Sequence, residues 1–593
     1  VSEQPEVLSS SSVEAPPLSV RSIAVALRGR IRQQAQHLGI WLREDWYGAR
    51  CVPWALLVLL ITSLAVASFY IDQPTRPEFS YDTPSYLAVT NKILTQGQPV
   101  DALRTPGYPM LVALVFLVAG VNNFLAVSVV QGILFVLATL EVYLLTLLVL
   151  RRAWLAGIIG LLVGSNTYLL SFVKPIIVEG FALWLTVSLA LASVLFVQRL
   201  QRRYLWLIAV LTLLLFMTRP EWVYLPIPLM AFLLVVAARH GLFRRMVPHA
   251  LGAVFVLYAF LGLFIYVNAT QNGYAGISSV QNINLVGKIL QYHMQDEAPP
   301  EYAQTTQALD AFVKRGGWNP YDLLTDYPPI TENHWALGGA YAAAIIERHP
   351  LEFLADSLVT FFTASNSNRA FSSFDASGPV AAPPLQVQET LSTGVVFLYR
   401  FFPLFALLWG MLFFWQRTKR LRVVEGMAAI SFLVLYELAT TTTGAYREYD
   451  YARIHIPFDP LMVLVICGSL LAVLGLVKWP TLEAPGLFRS LWRIWVVALL
   501  FGLLISAGME GIRKGPEALL HPSTWPLISL LLTHTLWGLA AVLATLLLTF
   551  LADQARHRQR LALLGNSEET VPLPTLAGQS VSSSIPADRT QGT

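Results

Sequence analysis

Long apolar runs recur along the chain, separated by short polar or basic segments. A helix needs about 20 residues to cross a hydrocarbon core near 30 Å, with some allowance for tilt. On that measure the runs predict spans over 52–71, 124–150, 155–173, 176–197, 204–218, 222–238, 249–268, 393–415, 423–441, 457–477, 491–507 and 526–551. These make about twelve helices of roughly 15–27 residues. The apolar run Met110 to Gly120 is too short to cross, and counting it as a span would invert every later loop. It predicts an interfacial or re-entrant helix. The long segment from about Ala269 to Leu391 predicts helices near 281–294, 302–315, 334–348 and 351–363, with His349-Pro350 as a boundary between the last two. Ser365 to Pro384 is small, polar and Pro-rich, and reads as a loop.

Charge orients these helices. The segments 198–204, 238–246, 416–422, 478–493 and 552–560 are basic, as is Arg151-Arg152. They alternate with loops poorer in basic residues, of which the largest carries a run of acids from Asp296 to Asp375. Basic loops mark the cytoplasmic side, so both termini are expected there and the long loop outside. Residues 1–20 and 561–593 have the composition of disordered tails. Residues 21–50, with six arginines among spaced apolar residues, read as a basic amphipathic surface helix or a solvated flank of the first span. The expected organisation is a cytoplasmic segment 1–50, a membrane core 51–268 with a first external loop 72–123, an external loop subdomain 269–392, further spans 393–552 and a tail 553–593.

Composition narrows the class. The chain is 55% hydrophobic and only 13% charged, against about 25% charged in a soluble protein. An all-α polytopic membrane protein is expected, with no nucleic-acid partner. The first apolar run is too long and too far into the chain for a cleavable signal peptide. Two cysteines, Cys51 and Cys467, make no disulfide framework, and no zinc or iron–sulfur spacing is present. No Gly-rich phosphate loop for a nucleotide is seen.

The first external loop concentrates the chemistry. It holds Asp82, Arg104 and the tyrosines Tyr81, Tyr86 and Tyr108. Pro84 to Leu94 predicts a helix, with Asp82 or Thr83 as its cap and Gly97 as its stop. Arg104-Thr105-Pro106-Gly107-Tyr108-Pro109 predicts a stiff turn with a bend at Gly107. An acid after the first span, a short helix, and a Pro-rich turn into an apolar helix together resemble the first external loop of the GT-C membrane glycosyltransferases, such as the protein O-mannosyltransferases and the lipid A aminoarabinose transferases. The departures are a single acid in Tyr81-Asp82-Thr83, where many members have two, and Pro-Gly-Tyr-Pro where many have Pro-Pro. The resemblance implies a GT-C-like fold with interfacial helices between the first two spans and a bacterial-type plasma-membrane setting. It also implies a transferase taking a sugar from a polyprenyl-phosphate donor to a lipid, glycan or protein acceptor at the extracytoplasmic face.

A charge at membrane depth costs about 2.5–3.5 kcal/mol on insertion scales, so its placement has a reason. By the charge argument four groups stand at the external ends of helices: Asp82 with Arg104, Lys174 with Glu179, Arg219 with Glu221, and the cluster Arg447 to Arg453 that includes Asp450. For an inverting transfer Asp82 is the expected base, since one carboxylate suffices. Arg104, Arg447, Arg453 and Lys174 are the expected phosphate ligands. Tyr81, Tyr86, Tyr108, Glu179, Arg219, Glu221 and Asp450 are the remaining pocket candidates. Plainer readings stand beside these. Asp82 could cap a helix, Arg104 could anchor its loop at the headgroups, and Glu179 and Glu221 could simply pair with Lys174 and Arg219. His293, His334 and His349 read as surface residues, and Trp318 and Trp335 as core ahead of sugar platforms. A divalent metal is compatible with the expected chemistry but has no sequence motif. Other functional classes are a transporter or flippase, and a polymerase or ligase, of lipid-linked glycans.

Overall fold

The computed structural model describes residues 51–71, 79–364, 399, 402–415, 422–446, 451 and 453–473. The expected tails, the spans 491–507 and 526–551, the loop 365–384, and Arg447 and Asp450 lie outside the described residues. Within them the chain is helical, without strands. Four helices are long and apolar enough to cross a membrane: Phe124–Leu150, Glu179–Arg199, Phe243–Asn272 and the Arg422–Thr442 stretch of a longer helix. Shorter apolar helices surround them.

In chain order, α1 (Cys51–Ile71) leads to α2 (Thr83–Gln96), α3 (Gly107–Ala119) and α4 (Phe124–Leu150). The helix α3 has 13 residues, too few to span, which agrees with the short run expected there. It buries Val112 and Phe116 and turns Met110, Leu114, Leu117 and Val118 outward. Asn123 caps α4 by accepting the Ala126 N–H at 3.1 Å. Then come α5 (Ala153–Gly164), α6 (Thr167–Val173), α7 (Glu179–Arg199), α8 (Arg202–Thr218), α9 (Pro226–Arg239) and α10 (Phe243–Asn272).

Three boundaries differ from the apolar runs. The run 155–173 is two helices, because Asn166 breaks it and caps α6 by accepting the Tyr168 and Leu169 N–H groups. The run 176–197 becomes helical only at Glu179, after an irregular stretch beginning at Pro175. The run 222–238 starts as a 3-10 turn, Pro220–Tyr224, and Pro226 opens the α-helix proper. In each case a polar cap or a proline overrides hydropathy, which carries no information on backbone hydrogen bonding.

The segment after α10 folds as α11 (Val280–Gln291), α12 (Ala303–Lys314), α13 (Leu323–Asp326), α14 (Glu332–Arg348) and α15 (Pro350–Ala364). The break at His349-Pro350 is where the sequence places it. Ile283, Val286, Ile289, Phe312, Trp335, Tyr341 and Ile345 form a second, smaller apolar core there. The main core runs through α4, α7, α8, α9 and the late helices α16 (Phe402–Trp415), α17 (Arg422–Gly444) and α18 (Asp459–Val473). The two cores meet where α11 and α15 pack on α17. The first loop is tied in as well: Ser278 Oγ donates to the Leu103 carbonyl at 2.5 Å, and the Ser279 N–H donates to the Ala102 carbonyl at 2.8 Å.

Candidate functional site

Local chemistry sets the position of Arg104. Asp101 Oδ1 accepts the N–H groups of Leu103 and Arg104, which turns the chain before Arg104. Thr105 Oγ1 then donates to the Thr218 carbonyl at the end of α8. Gly107 completes the docking by close approach. A Cβ on it would stand 2.6 Å from the Met217 carbonyl oxygen and 2.6 Å from Thr218 Oγ1. Gly107 therefore does less as a bend than as a place where two backbones meet. This contact carries Arg104 to the same end of the bundle as Arg219, which directly follows α8.

Asp82 precedes α2, but its side chain makes no cap hydrogen bond. Thr83 Oγ1 instead accepts the Ser80 N–H at 2.8 Å and donates to the Ile176 carbonyl at 2.9 Å. The capping reading of Asp82 is corrected accordingly. Its two oxygens go to two arginines from distant parts of the chain. Oδ1 accepts from Arg104 Nη2, and Oδ2 accepts from Arg453 Nη1 at 2.7 Å. Arg104 Nε also donates to Ser85 Oγ at 2.9 Å, and its guanidinium lies 4.6 Å from the centre of the Tyr86 ring. Arg453 Nε stands 3.0 Å from Glu179 Oε1. Arg219 pairs with Glu221 through Nε, donates from Nη1 to the Ile454 carbonyl at 3.0 Å, and lies 3.9 Å from Glu437.

These groups surround one cavity of about 310 Å³, at the small end of the range for ligand pockets. Tyr86, Arg104, Glu179, Arg219, Glu221 and Arg453 all line it, together with Thr440 and Thr441 of α17 and Gln281 and Asn284 of α11. Asp82 is not itself a lining residue, but it is paired with two that are, Arg104 and Arg453. Burial by itself would push the Asp82 carboxyl up, but Arg453 and Arg104 together hold it well below the usual carboxylate range. Burial pushes the Tyr86 phenol well above its ordinary value, so it stays a neutral donor.

Several sequence candidates fall elsewhere. Tyr81 is exposed and does not line the cavity. Tyr108 is fully buried, donates to Gln131 Oε1 at 2.7 Å and packs edge-on against Tyr86. It supports the wall from behind. Lys174 is buried at the end of α6 and is not a lining residue. The expected pairing of Glu179 with Lys174 gives way to Glu179 with Arg453, because Pro175 to Val178 separate the two residues by an irregular turn. The Arg219–Glu221 pair is present as expected. Trp335 is in the second core and Trp318 is exposed, and neither lines the cavity.

Glu437 was missed by sequence reasoning. It is fully buried, and neither carboxylate oxygen makes a hydrogen bond of good geometry among the described residues. Glu437 within the apolar stretch 432–439, inside the run 423–441, is the signal that could have found it. Thr441 Oγ1 and Glu179 Oε2, both of lining residues, are likewise buried without a hydrogen-bond partner among the described residues. The cavity thus offers donors on its arginines and spare acceptors on its carboxylates, a lining suited to an anion joined to a hydroxyl-bearing group. Among the described residues no three His, Cys, Asp or Glu side chains are grouped to hold a metal ion.

No family model matches the chain, and no curated protein does. The solved structures that resemble it include the archaeal oligosaccharyltransferase AglB from Archaeoglobus fulgidus in complex with an inhibitory peptide and a dolichol-phosphate, at a TM-score of 0.40 and 12% identity over 79% of this chain and 56% of that one. The apo form of the Archaeoglobus fulgidus enzyme gives a TM-score of 0.41 and 13% identity over 77% and 55%. A complex with Zn and sulfate gives 0.39 and 13% over 75% and 51%. The chain spans about half the length of these structures. They belong to the GT-C glycosyltransferases, the class that the first loop resembles.

Proposed function

We propose that the protein is a polytopic membrane glycosyltransferase of the GT-C type, with about twelve spans and both termini in the cytoplasm. It moves a sugar from a polyprenyl-phosphate donor to an acceptor hydroxyl at the extracytoplasmic face. The observation that carries this reading is the Asp82 carboxylate held between Arg104 and Arg453, two arginines that line a cavity set among apolar helices. A lipid-linked donor brings a greasy tail, an anionic phosphate and a polar sugar, and the site supplies a surface for each.

In the proposed reaction the acceptor oxygen attacks the anomeric carbon on the face away from the phosphate. Its proton passes to Asp82, the carbon–phosphate oxygen bond breaks, and the phosphate leaves with the electron pair. The configuration inverts, and no carboxylate nucleophile is needed. Arg104 and Arg453 hold the phosphate, with Arg219 deeper in the cavity. The charge that grows on the leaving phosphate strengthens these contacts in the transition state, where they accelerate the reaction. Glu179 orients Arg453, and Glu221 orients Arg219.

The test is transfer by the purified chain from a radiolabelled polyprenyl-phosphate sugar, with wild type compared to Asp82→Asn. Loss of product and of donor hydrolysis in the variant supports the enzyme. Unaltered turnover removes Asp82 from the chemistry. Vesicle counterflow of the lipid-linked sugar with no covalent product replaces the transferase by a transporter.

A further inference from the structure

The arginines assigned to the donor phosphate are already engaged. Arg104 and Arg453 each take one oxygen of Asp82, Arg453 also faces Glu179, and Arg219 is matched to Glu221 with Glu437 behind it. Every described guanidinium lining the cavity therefore has a carboxylate opposite it. Asp82, conversely, has both oxygens committed. A phosphate drawing on the same N–H groups competes with Asp82 for them.

The proposed base is also poor in this arrangement. Among the described residues, the groups that face it are Arg104 from the first loop, Arg453 from the segment before α18, Tyr86 from α2 and Glu179 from α7. The two cations outweigh the one like charge, and Tyr86 is a neutral phenol. A carboxylate held this way accepts a proton weakly, and general-base efficiency follows basicity.

Resting on the transferase reading above, we infer that Arg104 and Arg453 are exchanged between Asp82 and the donor phosphate, so that Asp82 becomes a competent base only once the donor is bound. Phosphate arrival draws the guanidinium N–H groups off Oδ1 and Oδ2. The freed carboxylate then accepts the acceptor's proton as the acceptor oxygen–carbon bond forms and the carbon–phosphate oxygen bond breaks. The leaving phosphate keeps the electron pair and holds both arginines. Its departure returns them to Asp82, which is neutralised again after its proton leaves to water. The order that follows is donor first, acceptor second.

The experiment uses the full chain in detergent with farnesyl phosphate as the probe. If the two anions compete, Asp82→Asn removes the competitor, and the variant binds farnesyl phosphate about tenfold more tightly, equivalent to about 1.4 kcal/mol, while transfer is lost. A structural role for Asp82 would not split affinity from turnover in this way. Equal or weaker binding by the variant, with an unchanged melting temperature, overturns the exchange. Wild type gives an independent readout that needs no substitution. Carbodiimide coupling of glycine ethyl ester at mildly acidic pH, read by peptide mass spectrometry, should leave Asp82 unmodified in the free protein and modify it when farnesyl phosphate is bound. Binding with the labelling of Asp82 unmoved sinks the exchange alone. Absence of any farnesyl phosphate binding sinks the phosphate reading, and the exchange falls with it.

Discussion

The helix α17 carries one buried glutamate toward each end, and the two are unlike. Glu425, in its first turn, has both oxygens 2.9 Å from His240 Nε2, with Arg239 and Arg422 within 4 Å. Arg239 and Arg422 in turn donate to the Phe413 and Val197 carbonyls. Glu437 lies twelve residues on, about 18 Å along the helix. It has Arg219 at 3.9 Å and no hydrogen bond of good geometry among the described residues. Glu425 and its partners line no part of the cavity, whereas Thr440 and Thr441, one turn beyond Glu437, do. A buried charge surrounded by satisfied partners ties helices together. A buried carboxyl without hydrogen-bond partners, next to residues that line a cavity, leaves room for a partner to arrive from outside. Burial and charge count alone do not separate the two clusters, and hydrogen-bond satisfaction does.

The sharpest way to break this contrast is to neutralise one carboxylate at the cavity and one in the Glu425 cluster. Asp82→Asn should lower transfer by about 10²- to 10⁴-fold, the usual contribution of a positioned base. Glu425→Gln should leave transfer within about twofold while destabilising the protein by about 1–3 kcal/mol, the cost of an imperfectly paired buried group. Transfer assays and melting curves on both variants check this. If Glu425→Gln abolishes transfer in a folded protein, the division into structural and functional ends is wrong.

Arg453→Lys comes next. It keeps the charge but loses the fork that reaches Asp82 and Glu179 together, so kcat/KM for the donor should fall roughly tenfold to a hundredfold. A lysine variant as active as wild type would show that only net charge matters at this position. Gly107→Ala should cost about 1–3 kcal/mol of stability, because its methyl group meets the Met217 carbonyl. Arg104 is set by the same docking, so donor KM should rise as well. A neutral outcome in both readouts would free the first loop from α8.

The smallest effect expected is on pH-dependent stability. The folded-state value of Asp82 lies below its ordinary 3.8. Its contribution is therefore complete above that ordinary value and lost as pH falls through the lower folded value. Wild-type and Asp82→Asn melting temperatures should keep a constant difference from neutral pH down to about 5 and converge only below about 4. Convergence between pH 7 and 5 would mean that the carboxylate is not held by its arginines.

Much of this site is legible in the residues themselves. Asp82, Arg104 and Arg453 stand out because a charge beside an apolar run is expensive, and that expense can be read directly from the residues. Their roles were less legible. The positions of Asp82 and Pro84 fit a capped helix, and only the direction of the carboxylate removed that reading. Glu437 escaped because even two acids, Glu425 and Glu437, leave the run 423–441 apolar enough to read as a span. Glu179 was matched to Lys174 by nearness in sequence, while the chain matches it to a residue 274 positions away.

The sequence by itself determined that the chain is helical and rich in membrane-length apolar runs, that the segment after α10 breaks at His349-Pro350, and which charges are out of place. Those properties are local: hydropathy, proline geometry and desolvation act on a residue wherever the rest of the chain lies. Tertiary structure alone decided that Asp82 meets two arginines 22 and 371 residues away, and that elements from the first loop to α17 close one cavity beside them. Pairings across such distances depend on helix packing and on single close approaches such as Gly107 against Met217, which no window of sequence contains.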